Sequence, residues 1–218
     1  MMPFEEELAL VLPADLPQRD TVIARAARHL DLIVEANQYL NLTRITTLRE
    51  AAIKHVLDSV MPWRLFADAK SILDAGSGAG FPGIPLALVL PEGQFVLAES
   101  IQKKARFLDS AVDTLELPNV RVASERAEEV LRERRVDVIT ARAMAPLSRA
   151  VGLFAPAIKA GARALLYKGP DAEKEIAEAT AEARKRQIQM RMVERYDLPD
   201  ALGTRTIVEM SRQDGKTR

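Results

Sequence analysis

Cysteine is absent from this chain of 218 residues, and histidine occurs only twice. No disulfide can form, no thiolate can bind a metal, and two imidazoles are too few to build a zinc centre. Net charge is missing as well. The 31 lysines and arginines cancel 31 aspartates and glutamates, so the molecule as a whole exerts no pull on phosphate. No apolar run approaches the length of a membrane span, and Glu5, Glu6 and Glu7 stand where a secretory leader needs basic residues. These gaps lead us to expect a globular cytoplasmic protein without metal or membrane contact. Charged residues make up 28% of the chain in balance, and its length suits one domain with a small appendage.

What the chain does have is concentrated in residues 71–83. A short apolar run, Ile72 and Leu73, ends in Asp74 and breaks into Gly76, Gly78 and Gly80. That pattern predicts a buried strand entering a turn whose backbone must come very close to something. Glycine suits such a turn because it lacks Cβ and tolerates positive φ. A second apolar run, Phe95 to Ala98, ends in Glu99. A glycine turn after one strand and an acid ending the next are the adenosine-binding pair of a doubly wound α/β domain.

Spacing narrows the ligand. In the dinucleotide fingerprint G-x-G-x-x-G, Gly76 and Gly78 fit, but Phe81 occupies the third required position and Gly80 comes early. No Gly-Lys-Ser/Thr follows, which excludes a P-loop. The run Asp74-x-Gly76-x-Gly78-x-Gly80 resembles motif I of the class I S-adenosylmethionine-dependent methyltransferases. In that family the turn faces a methionyl group and a sulfonium, and the acid of the second strand receives both ribose hydroxyls.

Along the chain, the pattern predicts a helical preface and then an alternating α/β unit. Asp20 is read as the cap of a first helix with Ile23, Ala26, Ala27, Leu30, Ile33 and Val34 on its apolar face. Thr47 to Glu50 reads as a capping box opening a second helix, with Ile53, Val56, Leu57 and Val60 on one face and Pro62 as its stop. Strands are expected at 71–75, 94–99, 119–123, 136–141 and 162–168. Helices are expected at 83–90, 102–116, 126–134, 147–159 and 171–186. Segments 189–197 and 203–210 read as a hairpin that adds an antiparallel strand to a parallel sheet, with Ser211 to Arg218 as a loose tail. The fold class expected is therefore α/β. The resemblance implies a class I methyltransferase, with a Rossmann-like, mostly parallel seven-stranded sheet and a C-terminal antiparallel strand, preceded by N-terminal helices. We divide the chain into a helical extension, residues 1–65, packed on the core, and a cofactor-binding domain, residues 66–218.

Further pieces make the resemblance narrower. They are Asn41-Leu42-Thr43, His55 with Asp58-Ser59, the extension Phe81 to Pro85, Glu99-Ser100 with Lys103-Lys104, Arg126-Ala127-Glu128, Thr140 to Ala143, and Lys168-Gly169-Pro170. Together they span nearly the whole chain and resemble the bacterial small-subunit rRNA guanine-N7 methyltransferases of the RsmG/GidB family. The resemblance implies S-adenosylmethionine as cofactor, held by Asp74, Gly76, Gly78, Phe81, Glu99, Ala127, Glu128 and Arg142. Gly76 and Phe81 would line the methionyl end, Glu99 the ribose, and Ala127 and Glu128 the adenine. Most relatives have aspartate where Glu99 stands, so the longer side chain calls for a retracted backbone. The implied substrate is 16S rRNA or the 30S subunit, modified at guanosine 527 in the usual rRNA numbering by a monomeric enzyme. RNA contacts are expected from Arg44, Lys103, Arg142 and Lys168, with 184–195 the densest basic stretch.

The chemistry fits what the chain lacks. Enzymes that methylate C5 of pyrimidines attack C6 with a cysteine, and none exists here. Amine methyltransferases carry an Asn/Asp-Pro-Pro-Tyr/Phe motif after strand four, where this chain reads Thr140 to Pro146. N7 of guanine carries a free lone pair and no proton, so no catalytic acid or base is assigned. His29 is read as a boundary residue, His55 as a partner for Asp58 one turn on, and Trp63 as core. Other class I methyltransferase activities, on another RNA site or a small molecule, stay open, as does a cofactor binder that transfers nothing. A nicotinamide-dependent oxidoreductase is the weakest alternative, because Phe81 replaces its third glycine.

Overall fold

The computed structural model describes residues 3–45 and 47–213. The part of the expected tail from Asp214 onward lies outside them.

Seven strands form one sheet in the order β3-β2-β1-β4-β5-β7-β6. They are β1 (Ser71–Ala75), β2 (Gln94–Ala98), β3 (Val120–Ala123), β4 (Val138–Arg142), β5 (Arg163–Lys168), β6 (Ile188–Asp197) and β7 (Thr204–Arg212). β1 to β5 pair in parallel, whereas β7 runs antiparallel between β5 and β6. The expected hairpin is present, with a register shift between Met192 and Glu194. Ser211 and Arg212 continue β7 against Gln189 and Ile188, so they do not belong to a loose tail.

Because successive strand residues point to opposite faces, Ile72 and Ile207 enter one apolar core and Leu73 and Val208 the other. The second core is covered by α7 (Ala127–Glu133), α8 (Leu147–Lys159) and α9 (Ala172–Lys185). The first is covered by α5 (Gly83–Val89), α6 (Gln102–Thr114) and the preface. The preface comprises α1 (Pro3–Val11), α2 (Arg19–Leu40), α3 (Leu48–Ala51), a π-helical turn (Ala52–Leu57) and α4 (Asp58–Val60). Phe4, Leu8, Leu30, Ile33, Ile53 and Val56 share one continuous core with Ile72, Phe95 and Leu97. Residues 1–65 thus supply part of a layer of the sandwich.

Several local expectations change. Asp20 lies inside α2, whose cap is Gln18 in the left-handed region with no side-chain bond. The start of α2 is instead tied to the end of α1 through Arg19, whose guanidinium donates to the carbonyls of Ala9 and Pro13. Val34 is exposed and Ile23 half-buried, while Val22 and His29 take the inward positions. Thr47 does cap α3, accepting from the Glu50 amide at 3.3 Å. Ile53, Val56, Leu57 and Val60 are all buried, as their spacing predicts. Trp63 is only half-buried, with the Arg64 guanidinium 4.7 Å from its ring centroid.

Candidate functional site

The strand order reverses at β1, which pairs with β2 on one side and β4 on the other. Open α/β sheets bind ligands at the carboxyl edge of such a switch point. There the chain makes its glycine turn, with positive φ at Gly76, Gly78 and Gly80. The amides of Gly76 and Ser77 both donate to the Ala98 carbonyl, at 2.9 and 3.2 Å, which ties the turn to the tip of β2.

Two acids organise this turn. Asp74 is completely buried, and its Oδ2 accepts the Gly83 amide at 3.0 Å, locking the first residue of α5 to the end of β1. Among the described residues its Oδ1 has no partner. Burial pushes the Asp74 carboxyl up to about 7, against the opposing pull of the Gly83 amide. Glu99 is also buried and accepts two backbone amides, Gly78 onto Oε2 at 3.0 Å and Ile101 onto Oε1 at 2.8 Å. A carboxylate oxygen offers about two lone-pair sites, so each oxygen of Glu99 can take a further hydrogen bond.

A cleft of about 160 Å³ opens beside the turn, lined by Gly76, Ala98, Ala127 and Glu128 among others. Ser100, Glu125, Met144 and Arg149 also line it. Arg149 is expected near the carboxyl edge as part of the local basic charge, whereas Ser100, Glu125 and Met144 have no signal for the site beyond their position just past a strand end. Met144 closes the turn from above: a Cβ on Gly76 would lie 3.4 Å from its Cγ. The N-terminus of α7 forms the far wall, where Glu129 reaches back to the Arg126 amide at 3.2 Å.

Phe81 lies outside that lining, buried between the turn and the preface. His55 stacks on it with centroids 4.6 Å apart, His29 tilts against it at 4.9 Å, and the Arg142 guanidinium stands 5.3 Å from its centroid. His29 is fully buried, not a boundary residue, and its Nε2 lies 2.8 Å from the Ala79 carbonyl. A carbonyl only accepts, so Nε2 carries the proton and Nδ1 is the unpartnered atom. Burial pushes His29 down to about 4, and burial followed by the Arg142 charge pushes His55 to about 3.

The expected His55–Asp58 pair does not form. His55 Nε2 meets Thr43 Oγ1 at 3.0 Å. Asp58 is instead the buried hub of a charge cluster. Arg205 donates to both of its oxygens at 2.8 Å, Tyr196 to Oδ1 at 3.1 Å and Arg142 to Oδ2 at 3.2 Å. Arg142 also donates to the Lys54 carbonyl in the π-helical turn. An acid among buried apolar neighbours, here Val56, Leu57 and Val60, is the signal that could have marked Asp58.

The remaining basic candidates differ in kind. Arg44 and Lys103 are exposed. Lys168 is half-buried and committed, donating to the Ala145 carbonyl at 2.7 Å and to Glu175 at 2.8 Å. In the basic stretch, Arg191 pairs with Glu209 and Arg186 with Glu182. Among the described residues no cluster of three or more potential metal ligands occurs, and no helix is long and apolar enough to cross a membrane.

Comparison with known proteins adds sequence and structural likeness. A family profile described as "GidB: rRNA small subunit methyltransferase G" matches residues 19–202. The chain is 68% identical over 209 residues to the "Ribosomal RNA small subunit methyltransferase G" of Solibacter usitatus, covering 96% of this chain and 100% of that one. The protein of the same name from Thermotoga neapolitana is 37% identical over 181 residues, covering 82% and 78%. Among solved structures, a Bacillus cereus O-methyltransferase in complex with SAH superposes with a TM-score of 0.60 at 16% identity, covering 85% of this chain and 91% of that one. The O-methyltransferase TomG from Streptomyces achromogenes, in complex with SAM, gives 0.58 at 17%, covering 84% and 89%. At such identities the structural likeness bears on fold alone, and the fold is that of a class I methyltransferase.

Proposed function

The chain belongs to the rRNA small subunit methyltransferase G family, and on that premise we propose that it methylates N7 of a guanosine in 16S rRNA, using S-adenosylmethionine. The observation that carries this reading is the cleft of Gly76, Ala98, Ala127 and Glu128 beside the glycine turn, to which Glu99 is tied through the Gly78 amide.

The residues present fit the cofactor. Asp74 keeps an unpartnered buried oxygen behind the turn, Glu99 keeps acceptor capacity at the tip of β2, and the bare Cα of Gly76 leaves a cradle beneath Met144. Bound there, S-adenosylmethionine supplies an electrophilic methyl group on its sulfonium. Glu99 would hold the ribose, Ala127 and Glu128 the adenine, and Gly76 and Gly78 the chain between them. Phe81 and Arg142 would act from behind, Phe81 as a wall and Arg142 through its contact with that wall.

N7 attacks with a lone pair that carries no proton, so the protein's task is alignment and exclusion of water. The two histidines nearest the turn suit that task as neutral, buried packing groups. Arg44 and Lys103 are proposed contacts for RNA phosphates. Lys168 would serve RNA at one remove, by holding Ala145 at the cleft wall. We further propose that the enzyme works as a monomer in the cytoplasm, on 16S rRNA or the 30S subunit, at guanosine 527 in the usual rRNA numbering.

The test is nucleotide mass mapping of small-subunit rRNA from cells lacking this protein. One 7-methylguanosine should vanish and return with the wild-type gene. An unchanged modification map overturns the reading, and cofactor retention without transfer to rRNA would mark a binder instead.

A further inference from the structure

The molecule carries a larger concavity than the cofactor cleft. A groove of about 510 Å³ runs between α7 and α8, against about 160 Å³ for the cleft itself. Glu128 and Leu153 line both, so the groove continues directly from the cleft wall.

Its charge is unusual for a chain with equal numbers of acids and bases. Three arginines, Arg132, Arg134 and Arg135, line it against one carboxylate, Glu128, which already has Arg126 at 4.0 Å. All three arginines are exposed, and none makes an ion pair or a side-chain hydrogen bond among the described residues. From the opposite side the Arg186 guanidinium approaches Gly152 on α8, 3.9 Å from where a Cβ would stand. That is ordinary contact, so packing does not require glycine there, although glycine in a helix interior costs stability. The groove's floor is aliphatic, from Val136, Pro156 and Ala157, with no aromatic side chain on which a base could stack.

We propose that this groove anchors the sugar–phosphate backbone of the substrate rRNA, in line with the cleft that receives the target base. The inference rests on the proposed rRNA activity and adds a second contact surface to it. A strand whose nucleotide enters the cleft must continue past one of its walls, and unpaired arginines beside a stacking-free floor suit phosphates better than bases. Because the net charge is zero, local arginines must supply the attraction.

The experiment measures binding of the full chain to unmethylated 30S subunits across a salt series. Arg132→Glu with Arg135→Glu should weaken binding about 10–100-fold and lower the slope of log K against log salt by about 2, with cofactor affinity by calorimetry as the check on folding. Wild-type affinity and slope in that variant overturn the proposal. Since the chain has no cysteine, Ala160→Cys in the groove can carry a single photo-crosslinker. It should capture 16S rRNA, as Ser100→Cys at the cleft should. Capture of a ribosomal protein, or of nothing, from position 160 while position 100 captures rRNA also overturns the proposal. If wild type neither binds nor methylates 30S subunits, it is the proposed activity that fails.

Discussion

His55 lies flat on Phe81, with ring centroids 4.6 Å apart and planes 7° from parallel. With His29 on the same ring, it brings two buried imidazoles against the motif I loop, and both stay neutral well below the usual histidine pKa. The unfolded chain takes up protons at these sites as pH falls through about 6.5, whereas the folded chain does not until about 4 and about 3. Their contribution is therefore lost as pH drops from about 6.5 toward 4. Asp74 acts in the opposite sense over the same window, because its folded pKa of about 7 lies above the unfolded 3.8. Stability from that group is greatest at low pH and is lost as pH rises through about 7. Two protons against one leave a net loss on acidification. His29→Gln, which keeps a donor for Ala79, should remove about one proton from the pH dependence of unfolding between pH 6.5 and 4. Denaturant midpoints across that range check it, and parallel curves for wild type and variant would refute it.

Gly83 has no room for a side chain. A Cβ there would lie 2.3 Å from Leu97 Cδ2 and 2.7 Å from Asp74 Oδ2, while the same residue's amide holds that carboxylate. Gly83→Ala should destabilise the protein by about 1–3 kcal/mol through overpacking. Because α5 and the turn must shift to relieve it, cofactor affinity should fall as well. Gly161→Ala, with φ of +112° but nothing within 4 Å of the added carbon, is the control. It should cost only backbone strain and leave cofactor affinity alone.

Glu99→Ala removes the acceptor of the Gly78 and Ile101 amides and, on the proposed function, of the ribose hydroxyls. Each hydrogen bond to a charged group is worth about 1.5–3 kcal/mol. Calorimetry should show cofactor affinity falling about 100-fold or more. Affinity within a factor of three of wild type would take Glu99 out of the site.

The framework of this site was legible in the chain because it is written in local pattern. Apolar runs of strand length place β1 at Ser71–Ala75, and a 3.6-residue period places α8 at Leu147–Lys159, both as expected. Gly76, Ala127 and Glu128 meet in one cleft because each follows directly on a strand or opens the next helix. What escaped were pairings between distant segments. Asp58 binds Arg142 and Arg205, 84 and 147 residues away, and no local spacing encodes such a partner. His55 lies within reach of Asp58 by helical spacing, but the π-helical turn and the loop carrying Thr43 give its Nε2 another partner. The position of Lys168 beside the cleft points to RNA contact, yet Glu175 on the next helix meets its ammonium.

The Asp58 cluster joins three parts of the chain through one buried carboxylate. Arg142 ends β4, Tyr196 and Arg205 belong to the β6–β7 hairpin, and Asp58 itself closes the preface beneath them. Attraction inside such a cluster is offset by desolvation, so its presence adds little net stability. Removing one member is different, because partly buried guanidiniums then lack a counter-charge. Asp58→Ala should therefore cost about 3–5 kcal/mol, whereas Tyr196→Phe should cost about 1 kcal/mol for its hydrogen bonds. In a cycle with Arg205→Ala, the double variant should be less destabilised than the two single losses added together, by more than about 1 kcal/mol. Additive losses would show that Asp58 and Arg205 do not act as a pair in holding the hairpin to the preface.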